Sequence, residues 1–129
     1  MKEIGVGIIG NGMATRVFHV PYIRACEQLD LKAVVSRRPQ TEPPCDGIAV
    51  VSDVDTLLAD PAIALVVIAT PSDTHADIAR KVIEAGRHVV VEKPFTLQLT
   101  QAQALVELAR ERGVVLSVFH NRRWDTDFM

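Results

Sequence analysis

The sequence is poor in the residues that build disulfide frameworks, base-stacking platforms and strongly charged surfaces. Its two cysteines, Cys26 and Cys45, lie far apart and form no CxxC motif. We therefore expect reduced thiols and no metal site. A single Trp and a single Tyr argue against an aromatic platform for single-stranded bases. The net charge of −2 provides no global field to hold nucleic acid or an acidic membrane.

Long apolar runs are also absent. None approaches the roughly 20 residues that a helix needs to span a bilayer. The first residues, MKEIGVGIIGNG, are apolar only briefly before the glycines, which is typical of a first strand rather than a signal peptide. A chain of 129 residues that is 48% apolar and 23% charged fits one globular domain. We expect a soluble, cytoplasmic protein that binds neither nucleic acid nor membrane.

What the sequence does contain is an alternation of apolar runs and amphipathic stretches. Several of the apolar runs are continuous and β-branched, which is typical of strands covered on both faces. Strands are predicted at 4–9, 31–35, 48–51, 64–69, 88–92 and 114–119. Helices are predicted at about 14–27, after a cap at Ser52 or Asp53, at 72–86 with a Ser/Asp cap, and at 96–113 with a cap at Thr100. This order predicts an α/β fold with a doubly wound parallel sheet in three α/β/α layers, the Rossmann architecture.

A glycine turn joins the first strand to the first helix. In GNGMAT, residues 10–15, Gly10 permits a tight turn and Gly12 leaves room for a pyrophosphate at the backbone. The helix N-terminus that follows supplies free N–H groups and a partial positive charge. Thr15 stands where a small residue is usual, so the fingerprint is imperfect. The alternative is that the two glycines merely turn the chain.

The second predicted strand ends in Ser36, Arg37 and Arg38, with no acidic residue. An NAD-binding domain usually places Asp or Glu there to bind the ribose hydroxyls. A hydroxyl and guanidinium groups instead suit a 2′-phosphate, through charge-assisted hydrogen bonds. The sequence therefore favours NADP over NAD. The alternative is an ordinary solvated arginine pair at the start of a loop.

Polar segments follow the last three predicted strands. They are TPSDTH at 70–75, EKPF at 92–95 and HNRRWD at 120–125. The carboxyl ends of parallel strands meet at one edge of a sheet, where ligands bind. We expect Thr70 and Pro71 to form a rigid turn there, and His75 to be either a partly exposed helix residue or a cofactor contact. Glu92 and Lys93 are either a surface ion pair or the site of a lysine that exchanges a proton with a substrate hydroxyl.

These segments resemble the Gfo/Idh/MocA family of oxidoreductases. The resemblance covers the whole chain and is carried by GIIGNGMATRVFHVP, LLADPAIALVVIATPSDTHADIA, GRHVVVEKPFTL and FHNRRWD. It implies that Lys93 assists proton transfer beside the nicotinamide, and that the bond between Lys93 and Pro94 is cis. The cofactor contacts that it implies are Gly10, Gly12, Met13, Ala14, Ser36, Arg37, Arg38, Thr70, Pro71, His75, Glu92, Lys93, Asn121 and Arg122.

The resemblance also implies a two-domain enzyme. Residues 1–121 correspond to its dinucleotide-binding domain, and residues 122–129 to the start of a linker toward a second α/β substrate domain that this chain lacks. We expect the full-length protein to be a homo-oligomer that oxidises or reduces a sugar, cyclitol or related polyol, and the fragment alone to be inactive.

Two other functions are compatible with a glycine turn in an α/β fold. A non-catalytic NAD(P)-binding sensor or interaction module would need the glycine turn but not Lys93. A methyltransferase that binds S-adenosylmethionine would normally place an acid after the second strand, where this chain has Ser36 and Arg37.

Overall fold

The structure, a computed structural model, describes residues 3–38 and 42–120. Its centre is a sheet of six strands in the order β3-β2-β1-β4-β5-β6, and every neighbouring pair is parallel. The strands are β1 (Ile4–Ile9), β2 (Leu29–Val35), β3 (Ala49–Val51), β4 (Ile63–Ile68), β5 (His88–Glu92) and β6 (Leu116–Phe119). The order reverses between β1 and β4, so the carboxyl ends of these two strands flank a crevice.

Helices connect β1 to β2, β3 to β4, β4 to β5 and β5 to β6. They are α1 (Val20–Ala25), α2 (Val54–Leu58), α3 (His75–Glu84) and α4 (Leu99–Arg112). Two short elements precede helices: a π-helical turn at Thr15–His19 leads into α1, and a 3₁₀ turn at Ser72–Thr74 leads into α3. A single π-helical turn at the start of a helix is uncommon and often marks a functional position.

Two apolar cores lie on opposite faces of the sheet. On one face, Val20 and Ile23 of α1 pack with residues of β1, β2 and β4 such as Ile8. On the other, α2, α3 and α4 cover the sheet with side chains that include Val82 and Leu105. Because both faces are covered, the sheet is the middle of three layers, and the predicted doubly wound α/β fold is confirmed.

The predicted strands all exist, and their ends differ by at most two residues from the observed ones. The helix caps were less predictable. Asp53 caps α2 as one of the two expected residues, since its side chain accepts a hydrogen bond from the Thr56 N–H at 2.7 Å. The predicted cap at Thr100 is wrong, because α4 begins at Leu99 after Gln98. The predicted Ser/Asp cap of α3 is also wrong, because those residues form the 3₁₀ turn.

Candidate functional site

A cleft of about 770 Å³ opens at the carboxyl edge of the sheet, beside the ends of β1, β2 and β4. It collects seven of the residues that the sequence predicts to bind a cofactor, from three separate parts of the chain: Gly10, Gly12, Ser36, Arg37, Arg38, Thr70 and Pro71. This position is where a doubly wound sheet binds its ligand.

The glycine turn forms one end of the cleft and depends on Gly10. The backbone φ of Gly10 is +114°, and a Cβ added there would lie 2.5 Å from the carbonyl oxygen of Ala69. A side chain is therefore excluded both by conformation and by space. At Gly12 an added Cβ would meet nothing within 4 Å, so the backbone there faces open space. An open glycine backbone at the mouth of a cleft suits the close approach of a phosphate.

Thr15 replaces the usual small residue without disturbing this turn. Its side chain is fully buried, and its hydroxyl donates a 2.7 Å hydrogen bond to the carbonyl oxygen of Gly10. The hydroxyl therefore fastens the π-helical turn to the glycine turn. The larger residue is accommodated, and its one polar group is satisfied.

Asn11, which is not among the residues predicted from the sequence, also lines the cleft. Its amide nitrogen donates to the carbonyl oxygen of Glu42 at 3.3 Å. Its Oδ1 is buried without a hydrogen-bond partner, and no other side-chain nitrogen or oxygen of residues 3–38 and 42–120 shares that condition. An orphaned buried acceptor is costly. Asn11 also adds an amide group to the polar lining of the cleft, which suits a ligand that carries hydroxyl groups, such as a ribose.

The end of β2 supplies the second wall. Ser36 is only 8% exposed, and its hydroxyl oxygen accepts a hydrogen bond from the Arg38 N–H at 3.2 Å. The hydroxyl proton remains available to a ligand. Arg37 and Arg38 are exposed, and neither forms an ion pair with another residue in the described part of the chain. This wall can therefore offer a hydroxyl and two guanidinium groups to an anion.

Three further charged residues line the cleft and were not predicted as site residues: Asp53, Asp55 and Lys81. Lys81 lies 3.0 Å from Asp55, so this charge pair is neutral overall. The backbone N–H of Thr56, and after it the Thr56 hydroxyl, hold the pKa of Asp53 below its usual value. With three cationic and two anionic side chains, the lining keeps one excess positive charge when Asp53 is ionised.

His75 braces the loops beyond the cleft. It is 1% exposed, which contradicts the interpretation of a partly exposed helix residue. Its Nδ1 lies 2.8 Å from the carbonyl oxygen of Pro94, and its Nε2 lies 2.8 Å from that of Thr70. The ring therefore joins the loop after β4 to the turn after β5.

The turn after β5 contains the predicted catalytic lysine. The bond between Lys93 and Pro94 is cis, as the resemblance implied. Glu92 contacts His19 at 2.6 Å, so the interpretation of an ion pair between Glu92 and Lys93 is wrong. Lys93 is exposed, and within the described residues it forms no ion pair.

Some predicted cofactor contacts lie away from the cleft. Of the residues described, those that do not line it are Met13, Ala14, His75, Glu92 and Lys93. Met13 is 73% exposed beside the glycine turn. Asn121 and Arg122 lie outside the described residues.

Neither a metal site nor a membrane span emerges from the described residues. They contain no group of three or more His, Cys, Asp or Glu side chains able to hold a metal ion. Their helices are also too short or too polar to cross a bilayer.

Known proteins are similar to this chain in sequence. The chain is 50% identical to the uncharacterized oxidoreductase YdgJ of Escherichia coli (strain K12), over 98% of its own length and 37% of that protein. It is 40% identical to the scyllo-inositol 2-dehydrogenase (NADP(+)) IolW of Bacillus subtilis (strain 168), over 100% of its length and 36% of that enzyme. The chain thus spans little more than a third of these relatives.

Solved structures agree with the sequence relatives. A protein of Bacteroides fragilis superposes with a TM-score of 0.92 and 39% identity, over 99% of this chain and 40% of that one. GenD2 from gentamicin A biosynthesis, in complex with NAD, superposes with a TM-score of 0.89 and 37% identity, over 96% of this chain and 36% of that one. KijD10 of Actinomadura kijaniata, a 3-ketoreductase in complex with NADP, superposes with a TM-score of 0.84 and 29% identity, over 91% of this chain and 38% of that one. Relatives of this fold therefore include complexes with either cofactor.

The family model named GFO_IDH_MocA, an oxidoreductase family with an NAD-binding Rossmann fold, matches residues 4–120. That match covers the described sheet and all of its helices. The chain belongs to the Gfo/Idh/MocA oxidoreductase family and forms its nucleotide-binding Rossmann domain.

Proposed function

We propose that the chain is the NADP(H)-binding domain of an oxidoreductase that acts on a sugar, cyclitol or related polyol. The observation that carries the proposal is the cleft, which joins the glycine turn, the end of β2 and the loop after β4. Asn11, whose Oδ1 has no hydrogen-bond partner among the described residues, also lines the cleft. A dinucleotide has phosphates, ribose hydroxyls and a second nucleoside, and this lining suits each of those parts.

The binding roles follow from chemistry and position. The backbone around Gly10 and Gly12, with the helix start behind it, takes the pyrophosphate. Ser36 and Arg37 take the adenosine ribose, and Arg38 supports them from the same loop. Thr70 and Pro71 line the path toward the nicotinamide. Bound there, the nicotinamide supplies the hydride donor or acceptor of the reaction.

The preference for NADP rests on the end of β2. No carboxylate follows β2 directly, and the hydroxyl of Ser36 is accompanied by two guanidinium groups that form no ion pair with any described residue. The carboxylates on the opposite wall already have partners. Asp53 accepts a hydrogen bond from the Thr56 N–H, and Asp55 forms an ion pair with Lys81. Guanidinium groups bind phosphate more strongly than they bind neutral ribose hydroxyls. The similarity to an inositol dehydrogenase that uses NADP(+) supports the same choice.

Titration of the purified 129-residue chain with NADPH and with NADH tests the binding function and the preference together. Nicotinamide fluorescence or calorimetry reports both affinities. We expect binding of both, with NADPH tighter. Tighter binding of NADH would contradict the preference, and binding of neither would contradict the proposed function.

Lys93 is the proposed catalytic residue of the longer enzyme. Its Nζ would take the hydroxyl proton during oxidation of a carbinol and return it during reduction. Lys93 is exposed in this domain, so its side chain is open to a substrate. The domain alone is expected to bind the cofactor without turning over substrate.

The substrate class requires a protein of the relatives' length. That protein should be screened with NADP⁺ against a panel of sugars and polyols, beside a Lys93→Ala variant. We expect activity with a polyol or sugar, and a loss of turnover in the variant while cofactor binding is kept. Full activity of the variant would remove the catalytic assignment of Lys93.

A further inference from the structure

A buried contact between His19 and Glu92 lies at the same edge of the sheet as the cleft. The His19 Nε2 is 2.6 Å from the Glu92 Oε1, and the two side chains are 5% and 14% exposed. The N–H of an imidazole ring can donate to a carboxylate oxygen, which accepts hydrogen bonds when it is ionised. Such charge-assisted bonds are short and roughly twice as strong as neutral ones.

The contact joins parts of the fold that the sheet keeps apart. His19 ends the π-helical turn that follows β1 and the glycine turn, whereas Glu92 is the last residue of β5. Strand β4 lies between β1 and β5. The hydrogen bond therefore crosses the carboxyl edge past the end of β4, on the face of the sheet that α1 covers.

A third strand end completes the contact. Phe119 of β6 is the register partner of Glu92, and the rings of Phe119 and His19 are 4.7 Å apart at an angle of 55°. His19 thus touches the ends of two adjacent strands at once. Because Glu92 contacts the His19 ring on one side and the Phe119 ring packs against it, His19 has little freedom to reorient.

A contribution to the stability of the fold does not by itself explain the buried pair of His19 and Glu92. Two polar groups must lose their water, and well-packed apolar residues at the same positions are often at least as stable. The pair does have a geometric effect, because its hydrogen bond fixes the distance between two backbone segments. The segments fixed here are the π-helical turn and the start of the turn that contains Lys93. The π-helical turn is in turn fastened to the glycine turn by the hydrogen bond from the Thr15 hydroxyl to the Gly10 carbonyl oxygen.

We propose that His19 and Glu92 are positioning residues, which hold the Lys93 turn at a set distance from the glycine turn. This inference rests on the proposed function, because the first segment would bind the cofactor phosphates and the second would meet the nicotinamide. Glu92 then acts through His19 and the backbone, and is not itself a cofactor contact. A small error in this distance misplaces the nicotinamide while it leaves the adenosine end undisturbed.

The test compares two probes on the 129-residue chain. One is the reduced cofactor that the wild-type chain binds more tightly, NADPH or NADH. The other is the same molecule without nicotinamide, namely 2′-phospho-ADP-ribose or ADP-ribose. The variants are His19→Ala, Glu92→Ala, the double variant and Glu92→Gln, which keeps an acceptor oxygen for His19. Val82→Ala is the control, since Val82 is fully buried on the opposite face of the sheet.

We expect each alanine variant to bind the reduced cofactor about tenfold more weakly and the shortened probe within about twofold of wild type. The double variant should be no weaker than either single one, because both changes break one contact. Glu92→Gln should recover most of the affinity. Val82→Ala should lose thermal stability, but change both affinities equally or not at all.

Three results would overturn the inference. They are unchanged cofactor affinity in the single variants, additive losses in the double variant, and equal losses for both probes. The last would show a general structural defect rather than a positioning role. If the wild-type chain bound neither probe, the proposed function itself would fail, and the inference would fail with it.

Discussion

The two halves of the carboxyl edge are built in different ways. The half beside β2 presents the buried hydroxyl of Ser36 and two exposed cationic side chains, Arg37 and Arg38, which form no ion pair within the described part of the chain. The half beside β5 is held from within by two buried histidines, His19 and His75, whose hydrogen bonds join separate segments. The first half can select a ligand by charge, and the second can hold a ligand in place. Substitutions in the two halves should therefore have different consequences.

The largest expected effect lies at the turn between the halves. Gly10→Ala should destabilise the fold by about 2–4 kcal/mol and abolish cofactor binding, because it combines an unfavourable φ with a clash against Ala69. Chemical denaturation measures the stability, and titration measures the binding.

Gly12→Ala is the matched control for that change. An added methyl group meets nothing within 4 Å at Gly12, so stability should change by less than about 1 kcal/mol. Cofactor affinity should nevertheless fall, because the methyl group occupies the approach of the phosphates. Equal stability losses in the two variants would contradict the geometry of the turn.

The next effect lies in the β5 half. His75→Ala removes a buried ring that contacts two carbonyl oxygens, and should cost about 2–3 kcal/mol of the free energy of unfolding. The exposed residue Arg80 of the same helix gives the comparison, since Arg80→Ala should change that free energy by under about 0.5 kcal/mol. If His75→Ala were as mild as Arg80→Ala, the proposed brace would not exist.

In the β2 half the opposite pattern is expected. Arg37→Glu should weaken NADPH binding by about tenfold or more and NADH binding much less, because only NADPH has the 2′-phosphate. The melting temperature should stay close to that of wild type. Arg80→Glu controls for the change in net charge. Equal losses for NADPH and NADH would show that Arg37 does not contact the 2′-phosphate.

The smallest expected effect is on the stability of the fold at acidic pH. The hydrogen bonds from Thr56 lower the pKa of Asp53 in the folded chain, so the ionised cap stabilises α2 at neutral pH. This contribution is present above the usual pKa of an aspartate and is lost as the pH falls through the lower folded value. Asp53→Asn should therefore flatten the acid limb of the stability profile slightly. An unchanged acid limb would contradict the lowered pKa.

The β2 half could be predicted from the sequence because its residues act locally. The β-branched runs define the strands, and Ser36, Arg37 and Arg38 follow one of them directly. The parallel order then brings the strand ends to one edge. Asp53 was recognised only as a cap, since its place in the cleft depends on how α2 packs beside β2.

The β5 half could not be predicted in the same way. The contact between His19 and Glu92 joins residues that are far apart in the sequence, and local patterns contain no signal for it. For His75 the sequence leaves two interpretations open, a partly exposed helix residue or a cofactor contact, because its burial depends on the turn at Pro94.

An NMR titration of the 129-residue chain with NADPH tests the central claim most directly, since it shows whether and where the cofactor binds. The largest amide shifts are predicted at Gly10, Gly12, Ser36, Arg37 and Thr70, with little change at the far end of α4 near Arg112. Shifts that cluster away from the cleft, or no shifts at all, would contradict the account.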